Sequence, residues 1–275
     1  MQSNLVSRVL SALVLAPVVL APIWFGKVVY EDYNIPLYPM LLALLGVGLS
    51  WEWGKMFQKK GSAAQLLMAF VAISVAFITE GNPLFCVWLI LLGTVLVYGL
   101  TKHFRFALGV PYVCLPILSL GYIYYINENV SREIVLWLIF VVWATDIGGF
   151  VVGKTVGGPK LAPKISAKKT WSGLLGAILF AMAVAYVFAL YLKAYHLLPA
   201  EDYLGKLVIS AGVLAVISQV GDFFESAIKR KLNLKDSSDL IPGHGGLFDR
   251  VDGLLFAAVA TAGVVAFFIN NGWMN

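Results

Sequence analysis

Nine apolar runs separated by short polar joints make up most of the chain: residues 9–25, 37–51, 66–79, 85–100, 107–126, 134–153, 171–192, 207–221 and 253–269. Most approach the roughly 20 residues that an α-helix needs to cross the hydrocarbon, and the shorter ones reach it with their flanks. Strands of a membrane barrel would be about 10 residues long and would alternate apolar with polar positions. These runs do not. The pattern predicts an all-α, polytopic integral membrane protein of about nine transmembrane helices. Residues 1–105 form an N-terminal set of spans; residues 106–275 form a C-terminal catalytic region with two polar inner-face loops, 154–170 and 222–252. Pro17, Pro22, Pro111 and Pro116 lie within or beside runs and predict kinks there. No internal or inverted repeat is visible.

Composition agrees. The 275 residues are 60% hydrophobic and 13% charged, whereas a soluble domain carries about 25% charge to face water. Mean hydropathy is +0.85. With a cytoplasmic N-terminus and nine crossings, 16 of the 20 Lys and Arg residues fall on the inner side, leaving only Lys27, Arg132, Lys193 and Lys206 outside. That bias sets the orientation and puts the C-terminus on the outer side. The net charge of +5 then faces the inner leaflet and anionic ligands. Arg8 precedes the first run as in a signal peptide, but no A-x-A cleavage site follows, so that run reads as a retained helix. Cys86 and Cys114 sit inside apolar runs as packing residues, with no disulfide framework or zinc site.

Charge against a bilayer is costly and marks a working site. Residues 221–252, GDFFESAIKRKLNLKDSSDLIPGHGGLFDRVD, hold six of the fifteen acidic residues and five of the twenty cationic ones. Asp222 closes the eighth run, and Glu225 and Ser226 follow on roughly the same helical face. Asp249 and Asp252, spaced i, i+3, open the ninth. If these two helices are neighbours, Asp222 meets Asp249, and two converging carboxylates call for a bridging cation. Oxygen ligands with no Cys and little His select Mg²⁺ or a similar ion over zinc. Lys229, Arg230, Lys235 and Arg250 supply charge enough for a polyphosphate. Pro242, Gly243, Gly245 and Gly246 bracket His244 in a tight loop whose backbone can approach a ligand.

A second polar break begins at Trp143. Asp146 lies in or near the membrane, and Gly148 and Gly149 would admit another backbone or a ligand. Residues 153–169 then carry five lysines and no acid, a docking surface for phosphates. Ser166, Lys168, Lys169 and Thr170 stand just before the run opening at Trp171, where a helix N-terminus favours an anion. No GxxxxGK[ST] occurs, so no Walker-type site is indicated. Glu52, between Trp51 and Trp53 at the inner end of the second run, reads as solvated or structural, with ligand contact the alternative. His103 and His196 read as uninvolved loop residues.

The run Ser226-x2-Lys229-Arg230-x4-Lys235-Asp236-x5-Pro242-x-His244-Gly245-Gly246-x2-Asp249-Arg250-x-Asp252 resembles the signature of the phosphatidate cytidylyltransferases, the CDP-diacylglycerol synthases. Asp146-x-Gly148-Gly149, Lys160-Leu161-Ala162-Pro163 and Ser166-x2-Lys169-Thr170-Trp171 also resemble that family. Ser238 stands where Gly is frequent, and Gly253 where Ser is frequent. The resemblance implies transfer of CMP from CTP to phosphatidic acid, giving CDP-diacylglycerol and pyrophosphate. It further implies a Mg²⁺-dependent homodimer of a bacterial-type inner membrane, with its active site facing the cytoplasm and K⁺ as a possible second ion. The family's metal-binding aspartates carry over to Asp222 and Asp249. Lys229, His244 and Arg250 join them as catalytic residues, His244 by hydrogen bonding to a phosphate. Ser166, Lys169, Ser226, Arg230, Lys235, Asp236, Gly245, Gly246, Asp252 and Asp146 fall to substrate binding. CTP, phosphatidic acid and the bilayer are the expected partners, and no nucleic-acid polymer is.

Two other readings compete. One is a CTP-dependent enzyme acting on another lipid phosphate. The other is an ion-coupled transporter, which would place Asp146 and Asp222 on broken helices near the bilayer midplane. Asp249-x2-Asp252-Gly253 echoes the opening of the CDP-alcohol phosphotransferase pattern, but Ala257 and Ala258 follow with no Arg, so that reading is rejected.

Overall fold

In a computed structural model, the protein is described over residues 2–30, 33–58, 61–127, 130–195, 197, 203–241 and 245–270. The order is α1 (Gln2–Phe25), a hairpin of β1 (Lys27–Tyr30) and β2 (Tyr33–Pro36), α2 (Leu37–Met56), α3 (Ala63–Ile78), α4 (Pro83–Thr101), the short α5 (Phe104–Ala107) and α6 (Gly109–Tyr125). α7 (Ser131–Thr155), a second hairpin of β3 (Lys160–Ala162) and β4 (Ser166–Thr170), α8 (Trp171–Ala194), α9 (Tyr203–Lys231) and α10 (Phe248–Asn270) follow. All nine apolar runs are therefore helical. Within lipid no water satisfies a backbone amide, so an apolar run closes its hydrogen bonds within itself. Among the described residues six helices are long and apolar enough to cross a membrane: α4, Phe104–Tyr125, α7, α8, Leu204–Lys231 and Phe248–Phe267. Leu13–Phe25 and Ala63–Ile78 are shorter apolar helices. Pro17 and Pro22 lie inside α1 and Pro116 inside α6, as their placement in the runs suggests.

The chain divides into two compact units, one of residues 1–126 and 231–251, the other of residues 127–230 and 252–275. In the first, α2, α3 and α6 meet on a core that includes Leu42, Leu49, Met68, Val75 and Ile117, and the Tyr38 hydroxyl donates to the Leu120 carbonyl at 3.0 Å. α4 adds Cys86, Ile90 and Val97 to that core and leaves Leu84, Trp88, Val95 and Leu100 exposed, the apolar face that lipid covers. Cys86 and Cys114 are free and buried, as expected of packing residues.

The second unit is built on α7 against α8. Buried Ala177, Ala181, Ala185 and Ala189 recur every fourth residue on one face of α8, a small-residue stripe that lets two membrane helices approach closely. Closest approach falls at the glycines. A Cβ on Gly148 would stand 2.5 Å from the Gly176 carbonyl oxygen, and one on Gly176 would stand 2.8 Å from that of Gly148. Gly148 thus admits a backbone, the first of the two roles its sequence left open. Gly148→Ala is expected to destabilise the protein by about 1–3 kcal/mol through overpacking, while Gly205→Ala, where an added Cβ meets no atom within 4 Å, costs nothing comparable. Thermal midpoints of the two purified variants in detergent check this.

α9 also packs against α10 in this unit: a Cβ on Gly221 would lie 2.6 Å from the Asp252 carbonyl oxygen, and the Phe224 and Phe256 rings are 5.3 Å apart. The β3–β4 hairpin leads directly into α8. Trp171 N–H donates to the Pro159 carbonyl at 3.1 Å, and the Ser172 hydroxyl donates to that of Gly157.

Candidate active site

In the first unit the site begins at the C-terminal end of α2. The Trp53 indole donates to the Phe106 carbonyl at 2.9 Å, and its ring lies beside Phe57, Tyr112 and Phe248. Phe248, fully buried at the start of α10, stacks on Tyr112 with centroids 5.5 Å apart. These contacts hold Glu52, which is 0% exposed. Its Oε1 accepts from the Leu247 N–H at 2.7 Å and from the Ser238 hydroxyl; its Oε2 accepts from the Phe248 N–H at 2.7 Å and the Ser237 hydroxyl at 3.0 Å. The opening N–H groups of a helix have no partner within it, and here a carboxylate from α2 takes them. A negative charge there also suits the helix dipole.

Asp249, one residue into α10, faces the same loop. Its Oδ2 accepts from the Ser237 N–H at 3.1 Å, the Ser237 hydroxyl at 3.1 Å and the Gly246 N–H at 2.8 Å. The Ser237 hydroxyl is therefore shared between Glu52 and Asp249. Gly245 has φ +84 and bridges back to Ile241, whose N–H donates to the Gly245 carbonyl at 2.8 Å. A Cβ on Gly246 would stand 2.6 Å from Glu52 Oε1. These two glycines let the backbone come close to the protein's own carboxylates. Ser238, the departure from the family pattern, donates to Glu52 and accepts from the Leu240 N–H at 3.1 Å.

In the second unit charges gather along α9. Lys169 Nζ, at the end of β4, is 2.5 Å from Asp222 Oδ2 and lies over the Phe223 ring at 4.6 Å. The Ser226 hydroxyl donates to Asp222 Oδ1 at 3.4 Å. One turn on, Lys229 Nζ is 2.6 Å from Glu225 Oε2, with both residues buried. Asp252, half-buried on α10, accepts from the Gly253 N–H at 2.8 Å and feels the charges of Asp222, Glu225 and Asp146. Four carboxylates thus accompany two ammonium groups. Thr170 caps α8 by accepting from the Gly173 N–H at 3.1 Å, so Ser166 and Lys169 do precede a helix N-terminus. Ser166 pairs with Ala162 at the start of β4.

Of the other residues singled out in the sequence, Asp146, Arg230, Lys235, Asp236 and Arg250 are exposed. Pro242, Gly243, His244 and His196 lie outside the described residues. His103 caps α5, its Nδ1 accepting from the Phe106 N–H at 3.1 Å. Among the described residues no three His, Cys, Asp or Glu side chains converge as ligands of one metal ion. α7 and α9 run unbroken through Asp146 and Asp222, which speaks against the broken helices of a transporter. Of the readings open for Glu52, its full burial and four bonds exclude the solvated one and favour the structural one, while nothing in the sequence pointed to its partner Ser237. An acid flanked by two Trp residues at a span end was the one visible signal of the clamp that Glu52 forms with Ser237 and Ser238.

The chain was compared with known proteins. Residues 6–268 match the sequence model of the Cytidylyltransferase family. A phosphatidate cytidylyltransferase of Brucella suis is 32% identical over 262 residues, covering 93% of this chain and 91% of that protein. One of Rickettsia conorii is 35% identical over 262 residues, covering 94% and 90%. One of Haemophilus influenzae is 31% identical over 294 residues, covering 95% and 98%. The chain belongs to the Cytidylyltransferase family.

Proposed function

We infer that the protein transfers CMP from CTP to phosphatidic acid, giving CDP-diacylglycerol and pyrophosphate. The observation that carries this is its likeness, across 93% of its length, to proteins named for that reaction. Both substrates carry phosphate, one dissolved in water and the other anchored in the bilayer. A phosphatidate oxygen attacks the α-phosphorus of CTP, the bond to the β-phosphate oxygen breaks, and pyrophosphate leaves. Such a transfer needs two anions aligned and their charge offset, with no covalent enzyme intermediate.

The residue roles follow the charges. Arg230, Lys235 and Arg250, all exposed, are assigned to the phosphates of CTP and phosphatidate, with Lys229. Lys169 and Ser166 at the entrance to α8 add a second anion-binding element, supported by the helix N-terminus that follows. His244 is assigned a hydrogen bond to phosphate, since phosphatidate is already largely ionised at neutral pH. Among the described residues the donor set around α9 suits Mg²⁺ in offering hard oxygen ligands without thiol or imidazole. Asp222 and Asp249 are the residues that would hold it. Mg²⁺ would offset the phosphate charge that grows as pyrophosphate departs. K⁺ is proposed as a second ion.

The proposal extends to nine crossings with the N-terminus in the cytoplasm, a bacterial inner membrane, a cytoplasm-facing site and a homodimer. The positive-inside bias supports the orientation. Bacterial relatives support the location.

Acceptor choice tests the assignment. Purified protein in mixed micelles with CTP and Mg²⁺ is expected to convert phosphatidic acid. Ether-linked or polyprenyl phosphates should react more slowly. Conversion of those lipids with none of phosphatidic acid would move the function to another lipid phosphate.

A further inference from the structure

We propose that Glu52 is a positioning residue for the reaction: through the shared Ser237 hydroxyl it sets the placement of Asp249 and of the loop that precedes it. This rests on the function inferred above. Glu52 lies 185 residues from Ser237 and 196 from Phe248 in the chain, yet its two carboxylate oxygens take four hydrogen bonds from that loop and from the opening of α10. None of those four bonds is to a donor in α2. Three are to groups that also frame Asp249: Ser237 donates to both acids, and Leu247 and Phe248 directly precede Asp249. Gly246, which donates to Asp249, leaves no room for a Cβ beside Glu52. A fully buried carboxylate without such partners would be costly. Here the donors are Ser237, Ser238 and the opening of α10, so the buried charge ties those two stretches together. Trp53, hydrogen-bonded to Phe106, keeps the carboxylate from moving with the loop.

Glutamine replaces one acceptor oxygen by an NH₂ group that faces donors. Glu52→Gln is therefore expected to misplace Asp249 and lower kcat by about a hundredfold, with KM for CTP changed by less than about threefold, because charges on the phosphates are untouched. Hydrogen–deuterium exchange should quicken at residues 237–249 and stay unchanged in α7 and α8. This second readout does not depend on the substrate. If wild-type protein makes no CDP-lipid, the inferred function fails, whereas the exchange result still reports on the clamp.

Two serine variants serve should Glu52→Gln fold poorly. Ser237→Ala removes a bond to each acid and is expected to lower kcat about tenfold. Ser238→Ala removes a bond to Glu52 and one from the Leu240 N–H but none to Asp249, and is expected to stay within about twofold of wild type. A Glu52 that merely stabilised the fold would lower the thermal midpoint of Glu52→Gln and leave the kcat of its folded fraction at the wild-type value. Equal effects of the serine variants, or wild-type kcat in Glu52→Gln with unchanged exchange, would overturn the proposal.

Discussion

Asp249→Ala is expected to lower turnover of CTP and phosphatidate by about a thousandfold, the upper range for removing a group that steadies transition-state charge. The variant loses two things. Oδ2 of Asp249 holds Ser237 and Gly246 in place, and each donor left unmatched costs about 1–3 kcal/mol. The carboxylate charge proposed for cation binding goes as well. Asp249→Asn separates them, since its amide oxygen can still accept from the loop while the charge is gone. The expected result is near-wild-type thermal stability with turnover as low as in Asp249→Ala. Wild-type turnover in Asp249→Asn would confine Asp249 to holding the loop.

The second large effect concerns Lys229 and Glu225, which face each other at 2.6 Å with side chains 10% and 2% exposed. Lys229→Met leaves a buried carboxylate without its cation, a loss of about 3–5 kcal/mol where a buried pair is broken. It should show as a lower thermal midpoint and less folded protein. Adding Glu225→Gln removes the stranded charge, so the double variant is expected to recover most of that stability. Its activity is expected to remain at least about tenfold down, because the ammonium is also assigned to phosphate. Full recovery of both would reduce the pair to a structural one.

How much of this could be read from the chain varies with the kind of interaction. Helices were legible because each apolar run must close its own backbone hydrogen bonds, and all nine runs are helical. Neighbouring α9 and α10 followed from chain order, and Gly221 against Asp252 bears it out. The i, i+4 spacing of Glu225 and Lys229 lies in the sequence, where Lys229 was read as facing a phosphate; the structure pairs it with Glu225. Gly148 could have admitted a backbone or a ligand, and only the position of Gly176 decides between them. Glu52 was least legible. Two of its four donors are backbone N–H groups, which every residue but proline has, so no side-chain identity at 247 or 248 betrays the contact. Asp222 and Asp249 were paired by spacing, while their described partners lie within separate units: Lys169, Ser226 and Asp252 for one, Ser237 and Gly246 for the other.

In the inferred reaction the lipid phosphate attacks the α-phosphorus of CTP. Incubating purified protein with phosphatidic acid, Mg²⁺ and CTP radiolabelled at either the α- or the γ-phosphate tests it most directly. The α-label is expected in a CDP-lipid and the γ-label in pyrophosphate. Transfer of the γ-label to lipid, or no labelled lipid from either nucleotide, would contradict it.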